Sequence, residues 1–149
     1  MRDLNIKGSW MEKEIYSHLD NAVMPLRLSY TSLDGWPSIL SLWFVRKDEY
    51  IWCATSPHAY LVKSLRQMAD CSFEVSTDTQ PYSGVRGRGK ATLHPKNGGN
   101  VLDALIDRYV GTHESEFARW LLTRRDSEMA IRISPSSYTS WDYRDRMSN

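Results

Sequence analysis

PYSGVRGRGKATL, residues 81–93, alternates three cations, Arg86, Arg88 and Lys90, with Gly87, Gly89 and Ala91. Two readings compete for such a run: a disordered arginine–glycine tract for nucleic acid, or a strand with two unlike faces. The run is short, and Val85, Ala91, Thr92 and Leu93 give it strand character. As a strand it puts Val85, Gly87, Gly89, Ala91 and Leu93 on one face and Arg86, Arg88, Lys90 and Thr92 on the other. Glycine weakens a strand unless another backbone or a ligand must come close. The charged face is either a solvated surface, which suits Lys90, or a place where the arginines meet an anion, since the guanidinium fork matches phosphate.

Strand patterns lie on both sides of this run. Upstream, CSFEVS (71–76) is a strand, and downstream MAIRI (129–133) is the last one, leaving SSYTSWDYRDRM as a polar tail. Nearer the N-terminus, LRLSYTSL puts Leu26, Leu28 and Tyr30 on one face, and Asp34–Gly35 signals a hairpin. The return strand is SILSLWFV (38–45); Lys47-Asp48-Glu49 turns the chain into YIWCAT (50–55). These three strands read as an antiparallel meander. Helices are expected over 9–23, with Ser9 and Glu12 as a capping box and Met11, Ile15, Leu19 and Val23 as an apolar stripe ended by Pro25. Another is expected from Ser56, with Pro57 at its first position and Leu61, Leu65 and Met68 as its stripe. PKNGGN (95–100) reads as a loop, and helices follow over 101–110, stopped by Gly111, and 114–124. About six strands with small helices inserted predict a mainly β (α+β) chain, a closed antiparallel barrel rather than a sandwich.

The composition fits one domain over residues 1–149, with 41% hydrophobic and 25% charged residues. A net charge of +1 disfavours a dedicated nucleic-acid module. Cys53 and Cys71 lack metal-ligand spacing and read as buried reduced thiols. With no long apolar run and no signal-peptide core, the expectation is a cytoplasmic chain without membrane partners. His18, His58, His94 and His113 show no ligand spacing, so no metal site is expected. No phosphate-loop, dinucleotide, nucleophile-elbow or zinc-protease motif occurs. Catalytic residues are therefore unknown, and any chemistry would come from a cofactor.

A second candidate anion site lies where YIWCAT enters the helix. Thr55 and Ser56 offer hydroxyls beside unpaired helix N–H groups, and Lys63 follows two turns on. Most of the six tryptophans read as core or dimer contacts, but Trp141 stands in the polar tail.

The segments SLDGWPSILSLWFV, YIWCATSPHAYLVKSLRQMADCSFEV, PYSGVRGRGKATL and IRISPSSYTSWDYRDRM occur in this order from about Ser9 to Met147. In that order the chain resembles the pyridoxamine 5′-phosphate oxidase-like family of flavin-binding split barrels. The resemblance implies a six-stranded split barrel and a homodimer, with flavin mononucleotide (FMN) at the interface. By position it implies that Ile39, Leu40, Ser41 and Leu42 run along the isoalloxazine ring. Ala54, Thr55 and Ser56 would lie beside the ribityl phosphate, and Tyr60, Leu61 and Lys63 in the segment that usually carries basic phosphate ligands. Arg86 and Arg88 would reach the cofactor from the partner chain, and Trp141 would stand near the flavin. Two departures are visible. The usual basic pair in the helix reads Tyr60-Leu61 here, and the C-terminal substrate set of true pyridoxamine phosphate oxidases is missing, which argues against vitamin-B6 oxidation. The implied function is a flavin-dependent oxidoreductase acting on a small-molecule substrate. The alternatives are a reductase using the deazaflavin coenzyme and a non-enzymatic flavin carrier or sensor, with a haem-binding split barrel more distant.

Overall fold

The computed structural model describes residues 3–147. In chain order its elements are β1 (Asn5–Gly8), α1 (Glu12–Asn21), β2 (Leu26–Thr31), β3 (Pro37–Leu42), β4 (Val45–Lys47), β5 (Tyr50–Thr55), α2 (Tyr60–Gln67), β6 (Asp70–Ser76), β7 (Ser83–His94), α3 (Gly98–Tyr109), α4 (Glu116–Leu122), β8 (Met129–Asp142) and α5 (Arg144–Met147). The strands form one curled sheet in the order β3-β2-β6-β7-β8-β5-β4, and β1 pairs in parallel with the second half of β8. All other pairings are antiparallel. The mainly β antiparallel architecture with peripheral helices is as the sequence predicts. The closed barrel is not: the edge strands β3 and β4 are not hydrogen-bonded to each other, so the sheet is a half-barrel with a split.

The alternating run forms most of β7, between β6 and β8. Val85 and Ala91 are buried in the core. The glycines between them make room for their own chain. A Cβ on Gly87 would lie 2.4 Å from the Phe73 ring, and one on Gly89 2.4 Å from the Ser134 carbonyl oxygen, beside the irregularity where β8 carries an extra residue opposite Arg88 and Gly89. Phe73 uses that room to meet Tyr138 edge-on, with centroids 5.8 Å apart.

The hairpin at Asp34–Gly35 forms as expected. Gly35 takes φ +88°, and Ser32 N–H donates to the Trp36 carbonyl at 3.0 Å. The Lys47–Glu49 turn also forms, with Asp48 at φ 55°. The meander does not. SILSLWFV divides because Trp43 and Phe44 leave the ladder: Phe44 enters the main core, while Trp43 stacks on Tyr109 at 5.0 Å. The β2–β3 and β4–β5 hairpins therefore end at opposite edges of the sheet. The expected tail is mostly β8, which pairs with β5 through residues 129–133 and with β1 through residues 137–140. The polar Ser140 on its inward face hid the alternation; its hydroxyl accepts the Trp10 backbone N–H at 2.8 Å.

Helix positions hold better than helix ends. In α1, Ile15 and Leu19 are 0% exposed, but Met11 and Val23 at the ends of the expected stripe are 74% and 63% exposed. Ser9 is outside α1, and it is Glu14 that accepts the Met11 N–H, at 3.2 Å. Ser56 does not cap α2. Its hydroxyl accepts the His58 N–H at 3.2 Å within a separate turn, and the helix starts at Tyr60 with Ala59 before it. Leu61 and Leu65 are buried, while Met68 is exposed. PKNGGN is a 3₁₀ turn that runs into α3 at Gly98, where a Cβ would strike the Glu128 carbonyl. Ser115 caps α4, its hydroxyl accepting from Ala118 N–H at 3.1 Å. Cys53 and Cys71 are free and buried, and burial pushes the Cys71 thiol up to about 12 and the Cys53 thiol higher. Among the described residues no helix is long and apolar enough to cross a membrane.

Candidate functional site

Strand alternation turns one residue in two away from the core, and register lines these up across the sheet. One row runs Ile39, Ser29, Ser72, Arg88, Ser137, Asn5. The next runs Ser41, Arg27, Glu74, Arg86, Thr139, Lys7. With Asp78, most of these residues line a cavity of about 600 Å³. Four cations, Lys7, Arg27, Arg86 and Arg88, face two carboxylates, Glu74 and Asp78.

The local bonds leave two arginines available. Arg27 donates from Nη1 to the Ser41 hydroxyl at 2.9 Å. Glu74, between Arg27 and Arg86 in register, accepts from the Ser76 hydroxyl at 2.7 Å. Among the described residues Arg86 and Arg88 form no ion pair. Arg86 lies 5.5 Å from the centroid of the Trp141 ring. Trp141 lies against Gly84, where a Cβ would come within 2.9 Å of the indole. Ile39 adds an apolar wall and is 71% exposed. At the end of β8, Asp142 accepts from Arg144 and from the Trp10 indole N–H, and the Arg144 bonds hold its carboxyl down at about 2.

The residues singled out in the sequence fall into two groups. Ile39, Arg86 and Arg88 line the cavity; Ser41 joins the same face through Arg27, and Trp141 through Arg86. The side chains of Leu40 and Leu42 pack against the core on the other face. Ala54, Thr55, Ser56, Tyr60, Leu61 and Lys63 are absent from the cavity lining. Ala54 packs in a cluster with Val101 and Leu105 of α3, Leu61 is buried in the main core, and the Tyr60 hydroxyl accepts the Leu33 N–H at 3.2 Å. The sequence reading passed over Arg27 and Lys7. Arg27 was findable: it alternates with Leu26 and Leu28, and the Asp34–Gly35 hairpin sets it opposite Ser41. Lys7 was not, because its place depends on the parallel pairing of β1 with β8, a contact between the two ends of the chain.

An unpaired arginine pair, a hydroxyl-rich floor, exposed Ile39 and half-buried Trp141 suit a planar aromatic ligand that carries phosphate. No family model matches the chain, and no curated protein matches it in sequence. Solved structures do match. A conserved hypothetical protein of Mycobacterium tuberculosis superposes with a TM-score of 0.79 at 24% identity, over 95% of this chain and 92% of that one. An F420 reductase gives 0.66 at 20% identity, over 83% and 94%. A Listeria innocua protein provisionally assigned as a pyridoxamine 5′-phosphate oxidase gives 0.65 at 13% identity, over 87% and 96%. The fold is the split barrel of pyridoxamine 5′-phosphate oxidase-like proteins.

Proposed function

We propose that the chain is an FMN-binding oxidoreductase of the pyridoxamine 5′-phosphate oxidase-like kind, acting on a small molecule, with its cofactor between two copies of the chain. The observation that carries this reading is the cavity face itself: Arg86 and Arg88 without carboxylate partners, next to Trp141 and exposed Ile39, on this fold. Bound flavin supplies hydride chemistry. The chain's own part is to bind and orient. Arg86 and Arg88 hold the phosphate, Ile39 and Trp141 shield the ring from water, and the hydroxyls of Ser41 and Thr139 are available to its polar edge. Thr55, Ser56 and Lys63, which lie outside the cavity of their own chain, act from the opposite copy. That division supports a dimeric site, since one chain does not bring the two groups together.

A second reading is a reductase that uses the deazaflavin coenzyme. It is favoured by four cations on one cavity and by the likeness to an F420 reductase. A visible spectrum of the purified protein, followed by separate titrations of the cofactor-free protein with FMN and with the deazaflavin, tests both. The expected result is a yellow protein, or saturable binding of FMN. Tighter binding of the deazaflavin favours the second reading, and binding of neither overturns both.

A further inference from the structure

A second cationic site lies on the outer face of β5, β8 and β7, outside the cavity. Register sets Trp52, Arg132 and Thr92 side by side across the three strands, with Tyr50 two residues to one side of this row and His94 two residues to the other, on the same face. The Arg132 guanidinium lies 4.3 Å from the Tyr50 ring centroid and 6.0 Å from that of Trp52. Trp52 meets His94 edge-on at 5.4 Å, and the Thr92 hydroxyl is 2.7 Å from His94 Nε2.

Like Arg86 and Arg88, this arginine lacks, among the described residues, the acid partner that others of the chain have. Arg46, Arg124, Arg125 and Arg144 each pair with an acid. Among the described residues no carboxylate pairs with Arg132, and its buried Nε has no hydrogen-bond partner. On neighbouring elements Asp70 pairs with Lys90, Asp103 with Arg125 and Asp107 with His113, while Asp48 and Glu49 stand in the turn before Tyr50. The other cations on this face are Lys47, opposite Tyr50 on β4, and Lys90, opposite Ser134; Lys96 follows in the turn after β7. His94 is held below the ordinary histidine range, by burial first and by the Arg132 charge second.

We infer that Arg132, Thr92 and His94 form a binding site for a small oxyanion, the phosphate or carboxylate group of a ligand. The Tyr50 and Trp52 rings lie against the guanidinium itself, so its N–H fork is oriented before the anion arrives. An oxyanion gives that fork the charge-assisted partner it lacks. When His94 is protonated its Nε2–H donates to the Thr92 oxygen, which leaves the Thr92 O–H and the Nδ1–H on the same face for the remaining oxygens. An anion on Arg132 also offsets the charge that disfavours imidazolium, so its arrival raises the His94 midpoint.

The test follows His94 by proton NMR across pH in the whole protein, with potassium phosphate, sodium acetate or potassium chloride at equal ionic strength. Phosphate is expected to raise the His94 midpoint saturably and chloride is not. Saturation by phosphate alone identifies a phosphate site, and saturation by both oxyanions a general one. Arg132→Lys keeps charge and stem but loses the fork, and is expected to weaken phosphate binding at least about tenfold while leaving flavin binding unchanged. The inference fails if phosphate shifts His94 no more than chloride does in the unaltered protein, or if Arg132→Lys saturates at the same phosphate concentration. The histidine readout needs no flavin, so its failure and that of the flavin reading are separate results.

Discussion

Arg108 on α3 reaches the C-terminal end of α1, where its guanidinium donates to the carbonyls of Leu19, Asp20 and Ala22 and lies 4.8 Å from the Phe44 ring centroid. Arg86 and Arg88 on β7 project from the sheet and, among the described residues, pair with no acid. The first arginine completes a helix end, whose last carbonyls have no partner within the helix and carry partial negative charge. The other two leave their donors to solvent or a ligand. Lys90, on the same face of β7 and only two residues from Arg88, has Asp70 at 2.5 Å. A cation's role here follows from the acceptors that tertiary structure brings to it.

The largest effect is expected at Arg108. Arg108→Ala leaves three helix-end carbonyls without their cation and should lower stability in urea unfolding by about 3 kcal/mol. Flavin affinity of the folded fraction should not change. Arg88→Ala should do the reverse, weakening flavin binding by about 2 kcal/mol in a titration, with a flatter salt dependence and little loss of stability. An Arg88→Ala protein that melts early yet binds flavin normally would erase the contrast between the two regions.

A pH dependence sharpens it further. Asp142 is depressed to about 2 in the folded protein, chiefly by its Arg144 hydrogen bonds. A depressed carboxyl contributes stability that is present above the unfolded value and lost as pH falls through the folded one. Asp142→Asn should therefore flatten the acid limb of stability between about pH 4 and the folded value of about 2, read by denaturant unfolding at each pH. The smallest effect is expected at Lys90. Its pair with Asp70 has side chains 72% and 65% exposed, so Lys90→Ala should change stability by less than about 1 kcal/mol and leave flavin binding unaltered.

Much of this was legible in residue order. LRLSYT, CSFEVS and VRGRGKATL were legible as strands, alternation separated the two faces of the first and the last, and Asp34–Gly35 marked a hairpin. Local signals failed where a residue answered to a distant partner. Trp43 and Phe44 broke a continuous apolar strand because one was drawn to Tyr109 and the other to the core. Ser56 looked like a helix cap but closed its own turn. The second half of the last strand looked like a tail because Ser140, a polar residue, turns inward to meet Trp10.

The sequence by itself determined that β7 has a small face and a cationic face, because side chains alternate along any strand whatever lies around it. Tertiary structure decided the rest: that Phe73 and the Ser134 carbonyl fill the space left by Gly87 and Gly89, that Arg27 and Lys7 join Arg86 and Arg88, and that Lys90 does not. Backbone stereochemistry acts between neighbours in the chain and can be read from residue order. Space and charge partners come from strands far apart in sequence, and they exist only once the sheet has curled.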